Sequence, residues 1–165
     1  MDNLDFRGVT MNKVSAAFVL GTTSTYTTTV TTECVIDGVF ATTLAAQTNT
    51  ASPTTDAKTG AAFVALADNQ ACALVWGITL AGAIALCQGK IVDTEVGVTT
   101  TAGAFREAPP WPDLPDDFCP IAYNLVRTAP SASAFTPGTS SWTATGITAS
   151  VAKNICVLPK RPRIV

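Results

Sequence analysis

The sequence predicts an all-β chain: an antiparallel β-sandwich or barrel-like domain with an extended N-terminal arm and a Pro-rich crossing segment. Three observations predict it. Apolar residues recur at a period of two, and no segment keeps a 3.6-residue period over three turns, Ala61–Ala73 being the one helical contender. Threonine, whose branched side chain fits a pleated surface, occurs 27 times. Charged residues make up only 13% of the chain beside a hydrophobic share of 47%. A chain of 165 residues suffices for one domain whose core needs neither disulfide nor metal. We divide it into 1–20, an arm or first strand, and 21–165, one β-rich domain bridged at 109–120.

Met11 to Leu20 predicts a short mixed strand or extended arm, stopped by Gly21. In Thr22–Ile36, Tyr26, Val30, Cys34 and Ile36 form an apolar stripe and the odd-numbered threonines a hydroxyl stripe, which predicts one long strand. Asp37-Gly38 is a turn signal, with Val39–Leu44 pairing back. Ala45–Gly60 has almost no apolar bulk and predicts a surface loop, with Ala61–Leu66 the next strand. Ala71–Cys87 is free of charge over 17 residues, too short to span a bilayer, where about 20 are needed. Its alternation predicts a hairpin around an Ala81-Gly82 loop, which sets Trp76 opposite Cys87 and Ile78 opposite Ala85. Both faces of that hairpin are apolar, so another sheet or another subunit should cover each. Trp76, Leu80, Ile84 and Leu86 are the oligomer-interface candidates.

Gln88-Gly89-Lys90 predicts a further turn before Ile91–Val98. Five prolines in 108–120 exclude a helix or central strand and favour an extended crossing, docked through Trp111, Leu114 and Phe118. Asp113, Asp116 and Asp117 form a solvated acidic loop, since no glycine-turn calcium pattern surrounds them. Ile121–Thr128, Trp142 at a strand start, and Ile147–Leu158 complete the β pattern. The tail adds Lys160 and Arg161 between Pro159 and Pro162, and Arg163 just after them, free in solvent or pinned to an acidic partner surface.

The chain has no histidine, which removes histidine-based acid/base and nucleophile-activating chemistry, HExxH zinc sites and pH sensing near neutrality. The five cysteines, at 34, 72, 87, 119 and 156, form no CxxC pair, and all five are expected as reduced, buried thiols of a cytosolic product. GTTST at 21–25 and GKIV at 89–92 match neither GxxxxGK[ST] nor GxGxxG, and no SxxK occurs. No enzyme activity, metal or cofactor is therefore expected. A pI near 4.9 gives no broad attraction for nucleic acid or an anionic membrane, so neither is expected as a partner.

WGITLAGAIALCQGKIVD, PWPDLPDDFCPIAYNLVRT, FTPGTSSWTATGIT and the terminal VLPKRP occur in that order within residues 61–162. This set resembles small structural proteins of tailed bacteriophages, of the head decoration or cement kind. The resemblance implies a β-structured subunit without an active site that binds the assembled shell as an oligomer, commonly a homotrimer. It implies location in the virion, assembled in the host cytoplasm, with the major capsid protein or another virion protein as partner. On that view Leu4, Phe6 and Arg7, in an arm that orders on a neighbour, and Lys160, Arg161 and Arg163 are the capsid-contact candidates. The alternative is a receptor- or carbohydrate-binding β-sandwich module of a phage fibre or tail, working through Trp76, Trp111 or Trp142.

Overall fold

Two strands that are apolar on both faces organise the molecule, as expected of strands covered on both sides. The computed structural model describes residues 9–41 and 43–163. In chain order the strands are β1 (Met11–Asn12), β2 (Phe18–Leu20), β3 (Thr25–Thr28), β4 (Cys34–Ile36), β5 (Val39–Phe40), β6 (Gln47–Ala51), β7 (Gln70–Thr79), β8 (Ile84–Gln88), β9 (Val92–Asp93), β10 (Phe118–Thr128), β11 (Ile147–Ala149) and β12 (Lys153–Asn154). No helix occurs among the described residues. β7 and β10 pair antiparallel at the centre of a six-stranded sheet ordered β11-β10-β7-β8, with β12 also on β10 and β9 also on β7. Two three-stranded sheets, β1-β4-β5 and β2-β3-β6, complete the fold. Every strand pair is antiparallel, and the sheets, which do not close into a barrel, are consistent with a β-sandwich.

The alternation along β7 sends Cys72, Leu74, Trp76 and Ile78 to the inner face. There they meet Phe18 and Tyr26 from one small sheet, Cys34 and Ile36 from the other, and Leu66, Phe135 and Trp142 from connecting segments. Five ring contacts tie this core together: Phe18–Tyr26 at 5.7 Å, Phe18–Trp76 at 4.7 Å, Tyr26–Trp76 at 5.7 Å, Trp76–Trp142 at 5.9 Å and Phe135–Trp142 at 5.4 Å. The indole N–H of Trp76 donates to Asn124 Oδ1 at 2.8 Å, which meets the polar need of a fully buried ring. Val75, Ala85, Cys87, Phe118 and Tyr123 form a smaller apolar cluster on the outer face. Gly77 makes that face possible, because a Cβ there would run into the Phe118 ring.

The hairpin at 71–87 forms as expected, but its loop has three residues rather than two. Thr79 N–H donates to Ala83 O, Gly82 takes φ 80°, and Leu80-Ala81-Gly82 is the connection. One added loop residue slips the register, so Trp76 faces Leu86 and Ile78 faces Ile84. Asp37 (φ 49°) and Gly38 (φ 76°) form the expected two-residue turn between β4 and β5.

Other elements differ from expectation for local reasons. Thr22–Ile36, expected as one strand, holds two strands in two sheets, with Val30 exposed between them. Threonine hydroxyls take over backbone partners there: Thr28 Oγ1 accepts from Gln47 N–H and Thr27 Oγ1 from Asn49 N–H. Those bonds hold β6, a polar edge strand inside the segment expected to be a loop. Ala61–Leu66 makes only single bridges, Ala62 to Thr55 and Leu66 to Phe135. Gln88-Gly89-Lys90 is a kink rather than a turn, since β8 and β9 both continue along β7 and Gly89 N–H donates to Ala73 O at 2.8 Å. Phe118–Pro120 belongs to the central strand β10 despite its proline, because the register shifts between Pro120 and Ala122. The shift turns both Ile121 and Ala122 inward. Trp142 lies in the core outside any strand. Residues 9–20 are part of the body: β1 pairs with β4, and Ala16 and Phe18 are fully buried.

Candidate functional site

The outer face of the large sheet is covered by chain without regular structure, and the candidate site lies there. Successive outward positions on β10 carry Tyr123, Leu125 and Arg127, while Ala122, Asn124 and Val126 point inward. Trp111 and Leu114 from the Pro-rich segment, and Ile155 and Leu158 from the C-terminal segment, pack on Val75, Cys87, Phe118 and Tyr123. Of the three residues expected to dock the Pro-rich segment, Trp111 and Leu114 pack on this face, whereas Phe118 belongs to the face itself as the first residue of β10. The Trp111 ring stands edge-on to Tyr123 at 4.9 Å, and its indole N–H donates to Pro159 O at 2.8 Å. Arg163 N–H donates to the Tyr123 hydroxyl at 3.3 Å, so the tail is held at both ends of its run over this face. That run presents Lys160, Arg161 and Arg163, all three exposed.

Beside Trp111 lies a cleft of about 710 Å³ whose lining includes Asp56, Lys58, Gln88, Lys90, Trp111 and Asp113. Asp56 organises its wall. One carboxylate oxygen accepts from the N–H groups of Lys58 and Thr59, and the other from that of Gln88 at 2.8 Å. The Gln88 amide in turn bonds both Val64 N–H and Val64 O, copying a strand pairing. Lys58 Nζ donates to Leu114 O at 3.2 Å, which ties the cleft to the Pro-rich segment.

The four oligomer-interface candidates separate. Trp76 and Leu86 are fully buried within this chain and leave no side-chain surface for a second copy. Ile84 is half-buried at the edge of the core, and Leu80, at the hairpin tip, is 41% exposed. Leu4, Phe6 and Arg7 lie outside the described residues. Two of the three tryptophans considered for glycan binding are in the core: Trp76, and Trp142, whose indole N–H donates to Thr25 O at 3.2 Å.

Four of the five thiols are buried as expected, and Cys156 is exposed. Burial pushes Cys72 up to about 12, and burial with the nearby Asp56 carboxylate pushes Cys87 up to about 12. Cys119 is raised by its hydrogen bond with Cys34 and by burial, whereas that bond lowers Cys34. Among the described residues no three cysteine, aspartate or glutamate side chains come together closely enough to hold a metal ion. Asp116 and Asp117 lie exposed in a turn before β10.

Sequence reasoning missed Asp56, Tyr123, Arg127 and Lys153 as members of this face. The alternation Tyr123-Leu125-Arg127 was the signal available for three positions in one row. Lys153 had none, because its place opposite Tyr123 depends on a two-residue strand. The chain matches no protein-family model, no curated protein and no solved structure.

Proposed function

We propose that this chain is a non-enzymatic structural protein of a virion, a decoration or cement protein that binds the assembled shell as an oligomer and stabilises it. One observation carries the reading: an acidic chain of net charge −2 concentrates Lys160, Arg161 and Arg163 on a tail fastened to its outer face through Trp111 and Tyr123. Fastening removes much of the ordering cost that a loose tail would meet on docking, so the cations are presented ready for an acidic surface. The blocks within residues 61–162 that resemble small structural proteins of tailed bacteriophages suggest the kind of surface. A protein that binds shells and not free subunits stabilises the shell by mass action, RT ln(1 + [L]/Kd) per site. The oligomer is a homotrimer contacting through the hairpin tip at Leu80 and Ile84.

Added to bare shells of its phage, the full chain sediments with them and raises the temperature at which they come apart. Neutralising the tail with Lys160→Gln, Arg161→Gln and Arg163→Gln weakens attachment and its salt dependence together. Shells that neither bind the chain nor gain heat resistance overturn the reading. Light scattering gives three times the 17.0 kDa chain mass for a trimer, and the chain mass itself overturns that part.

The Trp111 cleft favours a second reading, a glycan-binding module, because a partly exposed indole beside Asp56, Lys90 and Asp113 suits a sugar face and its hydroxyls. Saturable quenching of Trp111 fluorescence by oligosaccharides, lost in Trp111→Ala, supports that reading over the first.

A further inference from the structure

We propose that a pocket on the outer face, between Arg127, Lys153 and Arg163, receives a glutamate side chain of the partner protein. The proposal rests on the docking reading above and names the chemistry of one contact. The pocket has a volume of about 250 Å³, with Phe105, Leu125 and Val151 as its apolar lining and Arg127, Lys153 and Arg163 as its cations. Its shape follows from strand pairing. Thr148 lies opposite Arg127 through β11, and Lys153 lies opposite Tyr123 through β12. Between them Ser150 bonds Leu125 twice, N–H to O at 2.8 Å and Oγ from N–H at 2.8 Å, so Leu125 becomes the floor.

Three cations line this pocket, and among the described residues no carboxylate does. The ion pair found among the described residues, Lys13–Glu33, involves none of them. Arg127 is held rather than loose: its guanidinium lies 4.9 Å over the Phe105 ring, and Nη1 donates to Gly103 O at 2.7 Å. Converging like charges repel, and an anion between them reverses that cost. The floor decides which anion. Leu125, Phe105 and Val151 suit the methylene stem of an acidic side chain, with its carboxylate reaching the cations. A free phosphate would set some of its oxygens against hydrocarbon, where they find no donor.

The test is a titration of the isotope-labelled full chain at low salt, followed by amide NMR, with a blocked glutamate–leucine peptide as probe. Inorganic phosphate and a glutamine–leucine peptide form the other arms. The proposal expects saturable shifts at Leu125, Arg127, Thr148 and Lys153 with the glutamate peptide, reversed by salt. It expects Lys153→Gln and Arg163→Gln, both at exposed positions, each to weaken binding by about 10-fold, with the rest of the spectrum unchanged. Arg127→Gln does the same if it folds, and the two exposed variants decide the matter if it does not. Absence of saturable shifts, equal binding of the glutamine peptide, or tighter binding of phosphate overturns it. So does binding that appears only after residues 1–8 are removed, which would make Asp2 or Asp5 the occupant. Shell attachment measured on the same variants separates the two claims. Undiminished attachment of Lys153→Gln removes this pocket as a contact and leaves the decoration reading in place. Peptide binding by a chain that attaches to no shell supports the pocket and removes that reading.

Discussion

The two faces of the β7–β10 pair are built by different means. The inner face is closed by aromatic rings from four separated parts of the chain, with Trp76 at their centre and its one polar atom satisfied. The outer face is closed by proline-rich and terminal segments that make no sheet, and it carries the Trp111 cleft and the cationic pocket. Interdigitated rings give density and a single arrangement, whereas strapped-on coil leaves gaps with polar edges. Stability should therefore be concentrated on one face and recognition on the other.

The largest test of that division is a pair of truncations. Trp76→Ala should cost about 3–5 kcal/mol in urea denaturation, through lost burial and a residual cavity. Trp111→Ala, removing a half-buried ring, should cost about 1–2 kcal/mol. Equal costs would break the comparison. Gly77→Ala sharpens it from inside the sheet: the new methyl meets the Phe118 ring and Cys119 O, and overpacking of this kind costs about 1–3 kcal/mol.

A pH effect comes next. Cys72 and Cys87 ionise near 9.0 when unfolded and near 12 when folded, so the folded state holds their protons more tightly. Their contribution is intact below pH 9 and drains as pH rises from about 9 to about 12, by about 1.4 kcal/mol per pH unit for each thiol. The slope measured against Cys87→Ala isolates one share, and a variant with the unchanged slope contradicts the assignment. The smallest effects concern surface groups. A disulfide-exchange reagent should titrate one thiol quickly in the native protein, Cys156, and all five only on unfolding. Reductant should leave the melting temperature where it is. Arg163→Gln should change stability by no more than about 0.5 kcal/mol.

Much of the inner face was legible in the sequence. Alternation alone identified the hairpin, its two apolar faces and, of the stripe Tyr26, Val30, Cys34 and Ile36, every member but the exposed Val30. What failed was closure, where one residue changes a face. Gly82 at positive φ in a three-residue loop moved Trp76 from Cys87 to Leu86, and two candidates for an intersubunit contact became core. The threonine stripe hid a strand break, because hydroxyls that accept from the backbone look in sequence like those of an uninterrupted ladder. Pro120 misled in the opposite direction, since a register shift lets a central strand tolerate it. The site was less legible than the fold. The tail cations were visible as a run, whereas Arg127 and Lys153 come together only through the pairings of β10 with β11 and β12.

The central claim, that the inner face holds the fold and the outer face meets the partner, is tested most directly by hydrogen exchange on the chain free and bound to shells. The account predicts added protection in residues 148–163 and around Arg127, with the amides of β2, β3 and β4 unchanged. Protection gained in those N-terminal strands, with the C-terminal segment unaffected, would contradict it.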